Sequence, residues 1–203
     1  DGTSLSEEER RELFGIVRAE SRRLGSLVQD VLALAQIERE QLQETHAFAA
    51  LPLNDLIRTV VTQEEAKARA RGVRLELVRN DAATVLGDAT RLEEALVNLI
   101  ENALCYSGSD TIRVTSTAVG DRVTVAVTDF GIGIPAEHLP HLFERFYRIN
   151  KSRSRALGGT GLGLAIVKHT VQLHGGDVSV SSDPGRETVF AFTLPLQSRA
   201  SES

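Results

Sequence analysis

The sequence predicts an α/β (α+β) two-layer sandwich, a mixed sheet with helices on one face, preceded by a long N-terminal helix. Three observations predict it. Two β-rich runs, Thr111 to Thr117 and Arg122 to Asp129, are split by Val119-Gly120-Asp121, the composition of a hairpin turn. Helical stretches near residues 53–72, 88–106 and 162–174 alternate with short strand runs, as in layered folds with helices on a sheet. Ahead of them, Val17, Leu24 and Val31 stand seven apart, the spacing of a helix that packs against another helix.

Ser6-Glu-Glu-Glu9 reads as a capping box, with acidic residues at the positive end of the first helix. Leu13, Leu27 and Leu34 occupy the companion heptad position, which is Glu20 in the second heptad. The helix is expected to run from about residue 6 to the mid-40s, too long for an ordinary globular helix, and is read as a separate element. Pro52 marks a boundary, and Leu53-Asn-Asp55 opens a second helix ending near Gly72. Val73 to Val78 alternates as a strand, and Thr84 to Leu86 is a short one. Asp88 to Tyr106 is an amphipathic helix, and the hairpin follows. Residues 148–160 are polar, glycine-bearing and aperiodic, hence a loop. Leu162 to His174 is a helix stopped by Gly175-Gly176, where a C-terminal imidazolium is favoured at His174. Val178 to Val180 and Thr188 to Leu194 close the sheet. The expected division is 1–47, 48–196 and a frayed tail at 197–203.

A hydrophobic content of 41% in 203 residues suffices for a core. The net charge of −5 supplies no basic field for nucleic acid. No apolar run approaches the ~18 residues of a membrane span. The single Cys105 excludes an internal disulfide, and the absence of methionine suggests a fragment or processed product.

Four motifs carry the chemistry. Asn98-Leu-Ile-Glu-Asn102 puts two amides on one helix face. Taken alone the pair reads first as helix-packing amides; a bound Mg2+ bridging phosphates would also satisfy them. Asp129-Phe-Gly-Ile-Gly133 follows a strand, so Asp129 could accept from an exocyclic amine such as that of adenine, while Gly131 and Gly133 permit positive φ and close approach of a ligand; a structural turn with a capping aspartate fits equally. Gly158-Gly-Thr-Gly-Leu-Gly163 precedes a helix and leaves N–H groups for phosphate, without being a Walker or Rossmann loop; a flexible hinge is the alternative. Phe143, Phe146 and Tyr147 stand at helical spacing and are read as a hydrophobic hinge beneath an active-site lid.

In this order the motifs resemble the ATP-binding catalytic domain of sensor histidine kinases of two-component systems, over roughly residues 50–196. The helix ending Leu32-Ala-Leu-Ala-Gln-Ile-Glu38 resembles the second helix of their dimerisation hairpin. The resemblance implies ATP and Mg2+ as cofactors: Asn102 ligating Mg2+ with Asn98 in support, Tyr106 against the nucleotide, and Asp129 reading the adenine amine with Gly131 and Gly133 shaping that pocket. It implies Arg148 at the terminal phosphate, Gly159, Thr160, Gly161, Leu162 and Gly163 around the phosphates, and residues 148–160 as the lid. Cys105 stands where the family often has Lys or Arg, so one phosphate contact is absent or comes from Lys151 or Arg153. None of His46, His138, His141, His169 and His174 has the family's phosphoacceptor context.

The expected activity is therefore transfer of the terminal phosphoryl group of Mg-ATP to a histidine on a dimerisation helix outside this chain, for relay to a response-regulator aspartate, with no self-labelling. Implied partners are the response regulator, the histidine-bearing helix and, at full length, a second copy. The implied location is a cytoplasmic domain of a parent anchored in a bacterial membrane. The chain alone is expected to be a dilute monomer. Gyrase-type and mismatch-repair ATPases share the fold but place a glutamate base where this chain has Asn98, and an amide takes no proton near pH 7. Anti-sigma-factor serine kinases lack the Phe143 to Tyr147 segment. A degenerate ATP-binding interaction module remains the non-enzymatic alternative.

Overall fold

The structure, a computed structural model, describes residues 48–149 and 160–197 together with part of the stretch from 6 to 28. The described residues between 7 and 28 are helical (α1) and exposed. Leu13, Val17 and Leu24 of the heptad stripe are each more than half exposed, and Leu27, Val31 and Leu34 lie outside the described residues. No helix among the described residues is long and apolar enough to cross a membrane.

The remainder runs β1 (Ala49–Pro52), α2 (Leu53–Ala70), β2 (Arg74–Asn80), β3 (Thr84–Gly87), α3 (Ala89–Tyr106), β4 (Thr111–Val119), β5 (Arg122–Asp129), a 3-10 helix (Ala136–His141), α4 (Gly163–Leu173), β6 (Asp177–Asp183) and β7 (Glu187–Pro195). Five strands form one sheet in the order β2-β4-β5-β7-β6. β2 is parallel to β4 and the other neighbours are antiparallel, so the sheet is mixed as expected. Period-two alternation puts Val123, Val125, Val127, Phe190, Phe192 and Leu194 in the core. Against them pack Leu53, Ile57, Val60 and Val61 of α2, Leu92, Leu96, Leu99 and Ile100 of α3, and Val167 and Val171 of α4. These helical positions recur every three or four residues, which gives each helix a single buried stripe.

β1 is a strand that the sequence reading missed. Ala49–Pro52 has no alternation to announce it; pairing with β3, Leu51 opposite Val85, makes it a strand. Pro52 ends β1 and is the residue before α2, so strand and helix join there directly.

Ser116 points inward from β4 with no exposure, and among the described residues its Oγ has no hydrogen-bond partner. Removing a buried hydroxyl that bonds to nothing recovers about 1 kcal/mol. Ser116→Ala is therefore expected to raise Tm by roughly 2–4 °C in a thermal melt; a lower Tm would show that the hydroxyl is satisfied in solution.

At the end of α4, His174 departs from expectation. It is 4% exposed; Nδ1 lies 2.7 Å from Thr170 O, and Nε2 accepts the Asp88 backbone N–H at 3.0 Å. A carbonyl only accepts and an N–H only donates, so the ring is neutral with its proton on Nδ1. The helix terminus favours an imidazolium, but the Asp88 N–H requires a free lone pair on Nε2, and the direct hydrogen bond prevails over the weaker dipole effect.

Candidate functional site

The site is built where α3, the end of β5 and the start of α4 converge. Asp88 caps α3, its Oδ1 accepting the Arg91 N–H at 3.3 Å, and sets the phase of the helix. Asn98 and Asn102 follow four residues apart and half-buried. Asn98 faces the first turn of α4: a Cβ at Gly163 would lie 3.0 Å from Asn98 Oδ1, so the glycine lets α4 begin against the amide. Glu101 is turned elsewhere. Its Oε1 is 3.2 Å from Lys67 Nζ, which also binds Glu64 of α2 at 2.7 Å. Both carboxylates raise the Lys67 pKa, the Glu64 hydrogen bond most strongly, so the ammonium stays charged.

Asp129 closes β5 on its inward-facing row and is 4% exposed. Its Oδ1 accepts the Gly131 N–H at 3.1 Å. Burial raises its pKa and the Gly131 N–H opposes the rise. The following loop is clamped by protein backbone on both sides. Ile132 N–H donates to Ser107 O at 2.9 Å, and any Cβ at Gly131 would overlap that carbonyl. Gly133, at φ +75°, lies against Pro184 Cα, and Gly185 N–H donates to Ile132 O at 3.2 Å. The space a side chain would take at these glycines is filled by the chain's own backbone. Only Gly133 of the two has positive φ.

Phe146 N–H donates to Gly161 O at 2.9 Å and joins the two stems of the expected lid. Gly161, at φ +80°, lies against Phe146. Residues 150–159, including Lys151, Arg153 and Gly159, lie outside the described residues. Thr160 Oγ1 accepts the Leu162 N–H at 3.3 Å, and among the described residues no N-cap side chain bonds the first N–H groups of α4, an arrangement that suits an anion. Leu162 is buried beneath that turn with Ile166. Arg148 is half-buried, and among the described residues its Nε and Nη2 are enclosed without a hydrogen-bond partner. Two buried guanidinium nitrogens left unpaired are costly, and an anion would satisfy them.

The aromatic trio is not helical. Phe143 stacks edge-on against Phe190 at 6.3 Å, Tyr147 hydroxyl lies 2.8 Å from His138 Nδ1, and Phe146 is 59% exposed at φ +63°. Phe143 and Tyr147 pack against the core as a hinge would, while Phe146 holds the left-handed backbone that lets 146 meet 161. Tyr106 ends α3, half-buried. Cys105 takes a hydrogen bond from Arg71 Nη1 at 3.3 Å, which brings a guanidinium to the position where the resemblance implies a cation.

Ser109 escaped the sequence reading. Its hydroxyl accepts Phe130 N–H at 3.2 Å and Thr111 N–H at 3.1 Å and donates to Thr111 O at 2.6 Å, tying the Asp129 loop to β4. The Ser107-Gly-Ser109 turn was the available signal, since such hydroxyls bond nearby backbone. Among the described residues no three His, Cys, Asp or Glu side chains gather to hold a metal. The amide oxygens of α3 suit a hard cation that keeps its waters and binds phosphate, as Mg2+ does.

Residues 87–198 match the profile of the histidine kinase-, DNA gyrase B- and HSP90-like ATPase family. The chain is 42% identical to sensor histidine kinase CusS of Escherichia coli K12 over 95% of this chain and 39% of CusS. It spans less than half the length of curated relatives of this kind. Among solved structures it is similar to full-length ShkA in complex with AMPPNP (TM-score 0.76, 28% identity, 98% of this chain and 41% of that one). It is also similar to histidine kinase ThkA in complex with response regulator TrrA (TM-score 0.70, 26% identity, 96% of this chain and 53% of that one).

Proposed function

Since the chain belongs to the histidine kinase-, DNA gyrase B- and HSP90-like ATPase family, we propose that it binds Mg-ATP and transfers the terminal phosphoryl group to a histidine on a dimerisation helix, for relay to a response-regulator aspartate. The observation that carries this reading is the direction of Glu101. The carboxylate next to Asn102 is tied to Lys67, and the position one turn before Asn102 is the amide Asn98. An amide beside the reacting phosphate activates no water, so ATP is held for a nucleophile that arrives on another helix.

In this mechanism Asp129 accepts from the adenine amine and Tyr106 lies against the nucleotide. Asn102, supported by Asn98, holds Mg2+, which when bound neutralises phosphate charge. Thr160, Gly161 and Gly163 direct N–H groups at the phosphates, and Leu162, whose N–H is held by Thr160 Oγ1, and Gly159 are assigned to the same phosphate-binding segment. Arg148 stabilises the charge of the transferring group. The histidine nitrogen attacks the terminal phosphorus as its bond to the ADP oxygen breaks, and the acidic neighbour of that histidine takes the proton. The CusS, ShkA and ThkA matches support kinase chemistry, the AMPPNP held by ShkA supports ATP, and the ThkA–TrrA complex supports a response regulator as partner. At full length the parent is a homodimer anchored in a bacterial membrane, with this chain on the cytoplasmic side.

Calorimetric titration of Mg-ATP tests the reading. Discrete binding heats that return to baseline are expected. Sustained heat would mean hydrolysis and favour the ATPase reading; no heat at millimolar ATP would favour a degenerate binding module.

Asp129 adds a pH dependence. Its folded pKa is raised by burial, so its contribution to stability is full below the unfolded pKa and lost as pH rises through the folded one. At neutral pH the protein bears the cost of a buried carboxylate, which a donating amine offsets. Adenosine, free of titrating phosphates, is therefore expected to bind best at neutral pH and to weaken as pH falls through the raised Asp129 pKa. Affinity constant down to pH 4 would remove Asp129 from adenine recognition.

A further inference from the structure

We infer that His174, which the proposed chemistry does not use, is a positioning residue that sets the spacing of α3 and α4 at the phosphate end of the site. The inference rests on the Mg-ATP reading above. The two helices run antiparallel and share the core along their length, through Leu92, Leu96, Val167 and Val171, with polar or backbone-tight contacts at two places. At one end, Asp88 before α3 donates to His174 Nε2 at 3.0 Å, and His174 Nδ1–H donates to Thr170 O of α4 at 2.7 Å. At the other end, Gly163 of α4 lies against the Asn98 amide. These places are roughly 15 Å apart at 1.5 Å per residue.

Besides its two hydrogen bonds, the imidazole has two close neighbours. Phe48, just before β1, stacks on it at 4.5 Å and 15°. Gly87, just before Asp88, passes close by: a Cβ there would lie 2.7 Å from His174 Cδ2. The ring is thus a rigid spacer with one donor and one acceptor, each used by a different helix end. Its neutral state is part of the device, since a second ring proton would face the Asp88 N–H.

The consequence is selective. Asn98, Asn102 and the turn at 160–163 lie on α3 and α4, whose separation the spacer sets. Asp129 lies on β5, held by Gly131, by the Ser109 link at Phe130 and, at the end of α3 far from His174, by Ser107 through Ile132. Loosening the spacer therefore affects phosphate contacts more than adenine contacts. A displacement of about 1 Å at a positioned group is enough for a large loss.

The test compares Mg-ATP and adenosine affinities by calorimetry in the wild-type chain, His174→Leu and His174→Gln. Leucine fills volume without hydrogen bonds; glutamine keeps one donor group and one acceptor. The ATP-over-adenosine preference is expected to fall about 10-fold in His174→Leu and to recover at least in part in His174→Gln. A preference equal to wild type in a folded His174→Leu would overturn the role, because general loosening lowers both affinities together. Should the leucine variant not fold, nitrogen NMR of the wild-type imidazole decides. One protonated nitrogen, Nδ1, and a shift with Mg-ATP but not with adenosine are expected; a doubly protonated or unresponsive ring would overturn the inference. Absence of Mg-ATP binding by the wild-type chain would instead remove the functional reading itself, and this inference with it.

Discussion

Arg148→Ala is expected to lower Mg-ATP affinity about 10- to 100-fold, the worth of charge-assisted hydrogen bonds to an ionised partner, while Mg-ADP affinity changes little. The contrast follows from the proposed place of the guanidinium at the terminal phosphate, which ADP lacks. In a transfer assay with the histidine-bearing hairpin supplied separately, the rate is expected to fall by roughly 10²–10³, as when a charge-stabilising donor is removed. Stability moves the other way. Nε and Nη2 are buried without partners among the described residues, so alanine relieves the free protein of two unsatisfied donors. Its Tm is expected to hold or rise. Equal losses for ATP and ADP would place Arg148 away from the terminal phosphate, and a large fall in Tm would assign it to the fold.

Gly131→Ala is expected to be the most damaging of single-carbon additions near the site. The new Cβ would overlap Ser107 O, the carbonyl that accepts the Ile132 N–H, so the loop must leave α3. Overpacking against backbone costs about 3 kcal/mol, which lowers Tm by roughly 10 °C in a chain of this length. The Gly131 N–H would also leave Asp129 Oδ1, and adenosine affinity is expected to fall with it. An unchanged melt would mean that the loop has room to shift, and that the contact with Ser107 does not hold Asp129.

Much of this molecule is legible in its sequence because period and punctuation are local. The alternation of Arg122 to Asp129 made the strand and put Asp129 on its inner row. Gly175-Gly176 stopped α4, and Asp88 started α3, for reasons confined to a single turn. β1 was not legible, since four residues without pattern become a strand through their partner Thr84–Gly87. Phe143, Phe146 and Tyr147 stand at helical spacing and read as a hinge, but the bond between Phe146 and Gly161 demands a left-handed turn that spacing does not encode.

The site divides in the same way. Residue identity and order were sufficient to bring Asn98, Asn102, Asp129, Arg148 and the glycine turn into one reading, because their chemistry belongs to side-chain type and to helix or strand position. Direction and neighbourhood were not. That Glu101 turns to Lys67, that Gly131 makes room for the Ser107 carbonyl, and that His174 is neutral all depend on partners 24 to 86 residues away. A hydrogen bond fixes a proton and a backbone clash fixes a glycine only once the chain has brought the second group within reach, and that meeting is a property of the folded whole.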